Sequence, residues 1–247
     1  YLTGFAKAVA ITAPTGIAAT HIGGTTIHSA MGVGVPHLHE DFASRMSGGG
    51  ASGKGKQLAV HLEVLLVDEV SMLAAEFIDL LDEQLRKLVS RFGHGPANTH
   101  RGEKPHDVPP FGGVQLICCG DFFQLPPISS RVPAETWRRL DANALHAQRA
   151  ILRSGLDNHE SELFLNRGFA FQSTAWWRAS PILIELSKVW RQKDAQLVAT
   201  LNRIRKGAMT HDDIRYLNSH CATAAKPANA GGGGRGGAGP VARPMLL

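Results

Sequence analysis

Apolar positions along the chain fall into short continuous runs separated by stretches with helical spacing, the pattern of buried strands alternating with amphipathic helices. The run from Lys7 to Ala13 (KAVAITA) predicts a first strand that stops at Pro14 and Gly16. The following IAATHIGG predicts a helix closed by Gly23 and Gly24. HLEVLLVDEV predicts a second strand, apolar without interruption from Val64 to Val67 and therefore buried on both faces, with Asp68 and Glu69 at its carboxyl end. Ser71 is placed to cap the next helix, where Leu73, Phe77, Leu80, Leu81, Leu85 and Leu88 form one apolar stripe and Gly93 marks the end. Arg86, Lys87 and Arg91 fall late in that helix, as its dipole favours. VQLICCGDFFQLPP predicts a third strand, apolar from Val114 to Cys119 and ended by Pro126 and Pro127. Repeated alternation of this kind predicts an α/β fold, a parallel sheet flanked by helices.

Beyond Trp176 and Trp177, ILIELSKVW has the pattern of another strand. A helix capped by Asp194 follows, with Leu197, Val198, Leu201 and Ile204 on one face and Gly207 at its end, and Thr210 with Asp213 opens a further helix as a capping box. Two segments break the order, about 40–57 (around SRMSGGGASGKGK) and the Gly-, His- and Pro-rich 93–110, and both read as surface insertions. The tail from 224 to 247 is Gly-rich and reads as flexible, although RGG-like tracts also bind nucleic acid.

Composition narrows the class. With 247 residues, 43% apolar and 19% charged, the chain can bury one large core or two modest ones. A net charge of +5 and a pI near 9.3 suit a polyanionic partner without demanding one. The three cysteines, two of them adjacent at Cys118 and Cys119, form neither a disulfide framework nor the paired spacing of a zinc site, which favours a reducing compartment. No run approaches the roughly 20 apolar residues that cross a bilayer, and the first residues do not read as a signal peptide. Opening at Tyr1 and closing at Leu247 on an apolar turn, the chain reads as a piece of a longer protein.

The strongest chemical signal is VDEVSM, because a carboxylate pair at the carboxyl end of a buried strand stands where α/β sheets place ligands. Asp68 would hold Mg²⁺, which prefers oxygen donors, and Glu69 would orient an attacking water. An acidic pair at a helix start, favourable to the dipole, is the plain alternative. Gln124 in GDFFQLPP offers a neutral amide to a γ-phosphate, or is simply a polar residue in a proline-ended turn. Pro14, Thr15 and Gly16 in TAPTGIAA, and Thr26, His28 and Ser29 in GGTTIHS, combine small residues and hydroxyls that suit close approach to a phosphate backbone, or form ordinary turns. Arg191 in KVWRQKD is placed to act as an arginine finger or to sit at the surface. GGGASGKG matches the spacing G-x-x-x-x-G-K, but Gly55 stands where Ser or Thr is required, and neither a preceding strand nor a following helix is expected. The histidines at 37, 39, 94, 100 and 106 lack the Cys or carboxylate pattern of a metal site. Trp176, Trp177 and Trp190 either stack on bases, worth about 1–3 kcal/mol each where this occurs, or fill a core.

Taken together, TAPTGIAATHIGGTTIHS, LLVDEVSMLAAEFIDLLDEQLRKL, PFGGVQLICCGDFFQLPPI, FAFQSTAWW and LSKVWRQKD resemble the PIF family of superfamily-one, RecD-like DNA helicases. The stretch EVSMLAAEFIDLLDEQLRKL is similar to that family's signature helix. The resemblance implies a RecA-like P-loop NTPase fold. Residues 1–178 would be most of a first RecA-like domain, 179–223 the start of a second, and the family's Walker phosphate loop and later motifs would lie outside the chain. It also implies ATP and Mg²⁺ as cofactors, single-stranded DNA and duplex junctions as partners, and 5′-to-3′ unwinding in repair, recombination and telomere maintenance. The expected address is the nucleus or mitochondrion, with no membrane role. The other class open at this stage is a non-catalytic DNA-binding module or a transposon-borne helicase remnant.

Overall fold

The computed structural model describes residues 8–48, 54–94, 98–128 and 164–224; the Gly-rich tail and residues 49–53 of the first insertion lie outside the described residues. Two compact units divide the chain, Tyr1–Leu186 and Ser187–Leu247.

In the first unit, β1 (Val9–Ala13), β2 (Thr25–Thr26), β3 (Val64–Val67) and β4 (Gln115–Cys118) form an all-parallel sheet in the order β2-β1-β3-β4. Pro14 stops β1, and Thr15 caps α1 (Gly16–His21) by accepting the Ala18 amide at 3.3 Å. α1 gives way to a turn in which Gly23 has φ +66°. The short β2 runs into α2 (Ile27–Met31). The long helix α5 (Ala75–Phe92) presents Phe77, Leu81 and Leu85 fully buried, with Leu80 and Leu88 nearly so, and ends at Gly93, φ +83°. Each large apolar side chain fully removed from water contributes about 1.5–3 kcal/mol, so this stripe is the main support of the unit.

Several expectations change. β3 is not buried on both faces: Leu65 and Val67 are fully enclosed while Val64 and Leu66 are half-buried, and Val9 and Ile117 stay exposed. The described helices fill a core on one face only, so burial alternates with the pleat. β4 ends at Cys118, well before Pro126, because the chain turns at Gly120 and Asp121. Ser71 does not cap α5. It lies in a 3₁₀ turn, Val70–Met72, its hydroxyl buried without a hydrogen-bond partner, and α5 begins three residues later. The first amides of α5 are met instead by backbone carbonyls, Ala75 N to Gly168 O at 3.0 Å and Glu76 N to Arg167 O at 3.5 Å.

The segment about 40–57 is not a surface insertion. It contains α3 (His39–Ser47) and the start of α4 (Lys54–His61), and Phe42 and Met46 are wholly buried in the core. A helix therefore does follow GGGASGKG, although what precedes it is α3 and not a strand. The second insertion also contributes to the core through Val108, 2% exposed. A short helix, α6 (Thr174–Arg178), follows the 3₁₀ turn Ala170–Gln172.

ILIELSKVW forms no strand: residues 181–190 carry no regular structure, with Ile182, Leu183 and Leu186 at least 90% exposed. A strand needs a hydrogen-bonded neighbour, and the described residues provide none. The second unit holds α7 (Ala195–Arg205) and α8 (His211–Ala224). Asp194 caps α7 by accepting the Gln196 and Leu197 amides. Thr210 and Asp213 make the reciprocal capping box, Thr210 N donating to Asp213 at 2.9 Å and Asp213 N to Thr210 Oγ1 at 3.3 Å. Asp213 also accepts from Arg203 and Thr200, and chiefly the Arg203 bond holds its carboxyl far below the usual range. Among the described residues, no helix is long and apolar enough to cross a membrane.

Candidate functional site

Strand register gathers the candidate residues. Thr12 is level with Val67 and Val67 with Cys118, while Ala13 is level with Thr26. All strands point the same way, so the segments leaving their carboxyl ends share one edge of the sheet. Those segments are Pro14-Thr15-Gly16, Thr26 to Ser29, Asp68-Glu69 and Gly120 to Gln124. This is the edge at which open parallel sheets bind ligands.

Asp68 continues the β3 ladder, its amide donating to Thr12 O at 2.8 Å. Glu69 then adopts φ 52°, ψ 43°, a left-handed conformation uncommon outside glycine, which turns the chain abruptly before Val70. Both side chains are partly exposed, and neither carboxylate is engaged by a hydrogen bond among the described residues. They remain available as oxygen donors. The turn is pinned to β4 by Val70 N donating to Cys119 O at 2.9 Å. Gly120 makes this approach possible: a Cβ there would stand 2.9 Å from Val70 N and 3.1 Å from Val70 Cγ1. Burial and the neighbouring Cys119 push the Cys118 thiol up to about 12, so it stays protonated and inert.

Gln124 is exposed in a turn organised by Asp121, which accepts the Phe123 amide at 3.0 Å and the Gln124 side-chain amide at 3.1 Å. The turn is anchored from beneath by Phe122, whose ring meets Phe171 edge-on at 4.8 Å and Phe169 and Trp176 at 6.2 and 6.3 Å. Thus FAFQSTAWW works as a socket for the GDFFQ loop. Trp176 belongs to this cluster, whereas Trp177 is 67% exposed.

Thr15 and Thr26 both spend an oxygen lone pair on capping, Thr26 accepting the Ser29 amide at 3.2 Å, which leaves each hydroxyl proton free to be donated outward. His28 packs on the Phe77 ring at 4.9 Å, and burial lowers its pKa, so it is neutral at pH 7. Ser29 is exposed on α2. Arg191 lies in the second unit, exposed, in the segment leading to α7; there Lys188 sits over the Trp190 ring at 3.7 Å.

The carboxylates of α5 escaped the pattern analysis. Glu76 accepts the amides of Leu165, Asn166 and Arg167 and bonds His39 Nε2 at 2.6 Å. Asp79 accepts the Ala175 amide at 2.8 Å. Asp82, 2% exposed, accepts Phe111 N at 2.6 Å and Arg178 Nη1 at 2.8 Å. Their spacing of three along one helix was the available signal. Together they fasten the segment before the aromatic socket, α6 and the turn leading to β4 onto one helix. Of the other histidines singled out, His94 Nδ1 meets Ala59 O from a distant segment, and His100 and His106 pair with the nearby Glu103 and Asp107.

A family model described as PIF1-like helicase matches residues 1–145. The chain belongs to that family. Among curated relatives, the ATP-dependent DNA helicase PIF1 of Mus musculus is 32% identical over 213 residues, 85% of this chain but only 25% of the mouse protein. The chain thus spans about a quarter of that relative's length. The crystal structure of Pif1 helicase from Candida albicans superposes with a TM-score of 0.61 at 27% identity, covering 93% of this chain and 40% of that one. The Pif1 helicase from Bacteroides in complex with ADP-AlF3 and ssDNA gives 0.55 at 28% identity, covering 87% and 40%. The parallel sheet flanked by helices is the RecA-like fold of these PIF1-like helicases.

Proposed function

We propose that this chain is part of a motor that hydrolyses ATP to move 5′ to 3′ along single-stranded DNA and to open duplex junctions. The observation that carries the reading is the strand register, which sets an unengaged Asp-Glu pair, an exposed glutamine and two capped hydroxyl turns along one sheet edge. A relative named as an ATP-dependent DNA helicase and a neighbour titled as a complex with ADP-AlF3 and ssDNA support it.

In this reading Asp68 is the protein's oxygen ligand to Mg²⁺, an ion that takes one or two carboxylates and completes its shell with phosphate and water; when bound it neutralises phosphate charge. Glu69 aims its carboxylate at the attacking water. Gln124 presents its amide to the γ-phosphate and reports its loss, and Arg191 is the proposed arginine finger. Pro14, Thr15, Gly16, Thr26, His28 and Ser29 face the DNA backbone. The hydroxyls donate to phosphate oxygens, and the neutral His28 adds no charge, so this part of the contact holds strand position and not base identity. The family resemblance extends this reading to work in repair, recombination or telomere maintenance at a nuclear or mitochondrial address. The test is DNA-stimulated ATP hydrolysis by this chain beside a version extended at both ends. Stimulated turnover in the extended protein supports the motor, whereas none in either favours a DNA-binding module or a helicase remnant.

A further inference from the structure

We propose that Arg45, on α3, is a positioning residue that holds the DNA-facing α2 segment in register. The proposal rests on the reading that Thr26, His28 and Ser29 face DNA.

α2 ends at Gly32, whose left-handed φ of 76° turns the chain into the loop Val33-Gly34-Val35. That loop reaches back to α2, since Val33 N and Gly34 N both point to His28 O, at 3.0 and 3.4 Å. Two residues with positive φ, Gly32 and Gly34, flank Val33, so the backbone there has little preference of its own. Beside the buried Val33 side chain and these backbone bonds, the loop is held by the Arg45 guanidinium, whose Nη1 donates to Val33 O at 3.2 Å and Val35 O at 2.8 Å. A Cβ at Gly34 would meet that nitrogen only at ordinary contact, 3.4 Å, so it is the φ of +59° that favours glycine there. The arginine is itself well based. Its neighbours Phe42 and Met46 are wholly buried, Phe42 packs edge-on against Phe77 at 5.2 Å, and Phe77 carries His28 on another side of its ring. α3 therefore supports the α2 segment twice, through apolar packing under His28 and through the polar clamp on the loop behind it. Only the second can be removed without opening the core.

Replacing Arg45 by Met keeps the aliphatic stem and deletes both hydrogen bonds. The experiment uses the full-length protein and measures ATP hydrolysis against single-stranded oligonucleotide concentration, with amide hydrogen exchange of residues 32–35 as a second readout. Loss of the clamp raises the half-saturating DNA concentration about three- to tenfold. DNA-free hydrolysis and kcat at saturating DNA stay unchanged, exchange at 32–35 quickens, and Arg45→Lys recovers part of the affinity. An unchanged half-saturation in Arg45→Met, or an equal fall in kcat, overturns the proposal. A wild-type protein that binds no oligonucleotide overturns the DNA reading itself and this proposal with it, and is distinguished because it is seen before any substitution.

Discussion

Replacing Asp82 by Ala tests the idea that α5 fastens distant segments through buried carboxylates. The side chain is 3% exposed and accepts from Phe111 N at 2.6 Å and Arg178 Nη1 at 2.8 Å, with Arg86 Nη1 at 3.5 Å. Alanine leaves the buried Phe111 amide unpaired, which costs about 1–3 kcal/mol. Phe111 also sits at φ 53°, a left-handed conformation that needs a reason to persist, and the bond to Asp82 is that reason. Arg178 is 44% exposed, so its lost bond is discounted for water to about 1 kcal/mol or less. The sum is a destabilisation of about 1–4 kcal/mol. Asparagine keeps a carbonyl for the Phe111 amide and loses only the charge, so Asp82→Asn should cost about 1 kcal/mol. Urea unfolding followed by circular dichroism gives both values. Asp82→Ala within about 0.5 kcal/mol of wild type, the range of a neutral surface change, or equal losses for Ala and Asn, would refute the fastening role.

Gly120→Ala should force the Val70 amide away from Cys119 O and cost about 1–3 kcal/mol by overpacking; an unchanged urea midpoint contradicts the close approach seen between the two turns. His28 should titrate below the ordinary imidazole value of about 6.5. Because its folded pKa is the lower one, the unfolded chain takes the proton first, so its contribution to stability is whole above about pH 6.5 and is lost as pH falls towards the folded value. An NMR titration midpoint at or above that ordinary value would show that the ring is not buried on Phe77.

The runs that form β1, β3 and β4 were legible because continuous apolar stretches ended by Pro14, Asp68 and Gly120 have few other uses, whereas the two-residue, polar β2 carries no such signal. The stripe of α5 was legible because Phe77, Leu81 and Leu85 recur at helical spacing. The start of α5 was not legible: its first amides are satisfied by carbonyls of Arg167 and Gly168, about ninety residues away, and no local signal encodes that. α3 was hidden by composition, since the Gly, Ser and Lys residues after it suggested a loop while Phe42 and Met46, four apart, were already a core face. ILIELSKVW shows the reverse error, an apolar alternation that lacks a pairing strand among the described residues. The candidate residues of the sheet edge could be placed from sequence because they follow the strand ends, whereas Arg191 follows a segment with no regular structure. Arg45, Glu76 and Asp82 were missed because their partners are backbone groups of other segments.

The most direct measurement is DNA-stimulated ATP hydrolysis by Glu69→Gln in the full-length protein, with nucleotide and oligonucleotide binding measured alongside. The substitution is isosteric and removes only the charge that would orient water. Turnover should be abolished while both ligands still bind; wild-type turnover in a folded variant would contradict the assignment of Glu69 and the reading of this sheet edge as the site of hydrolysis.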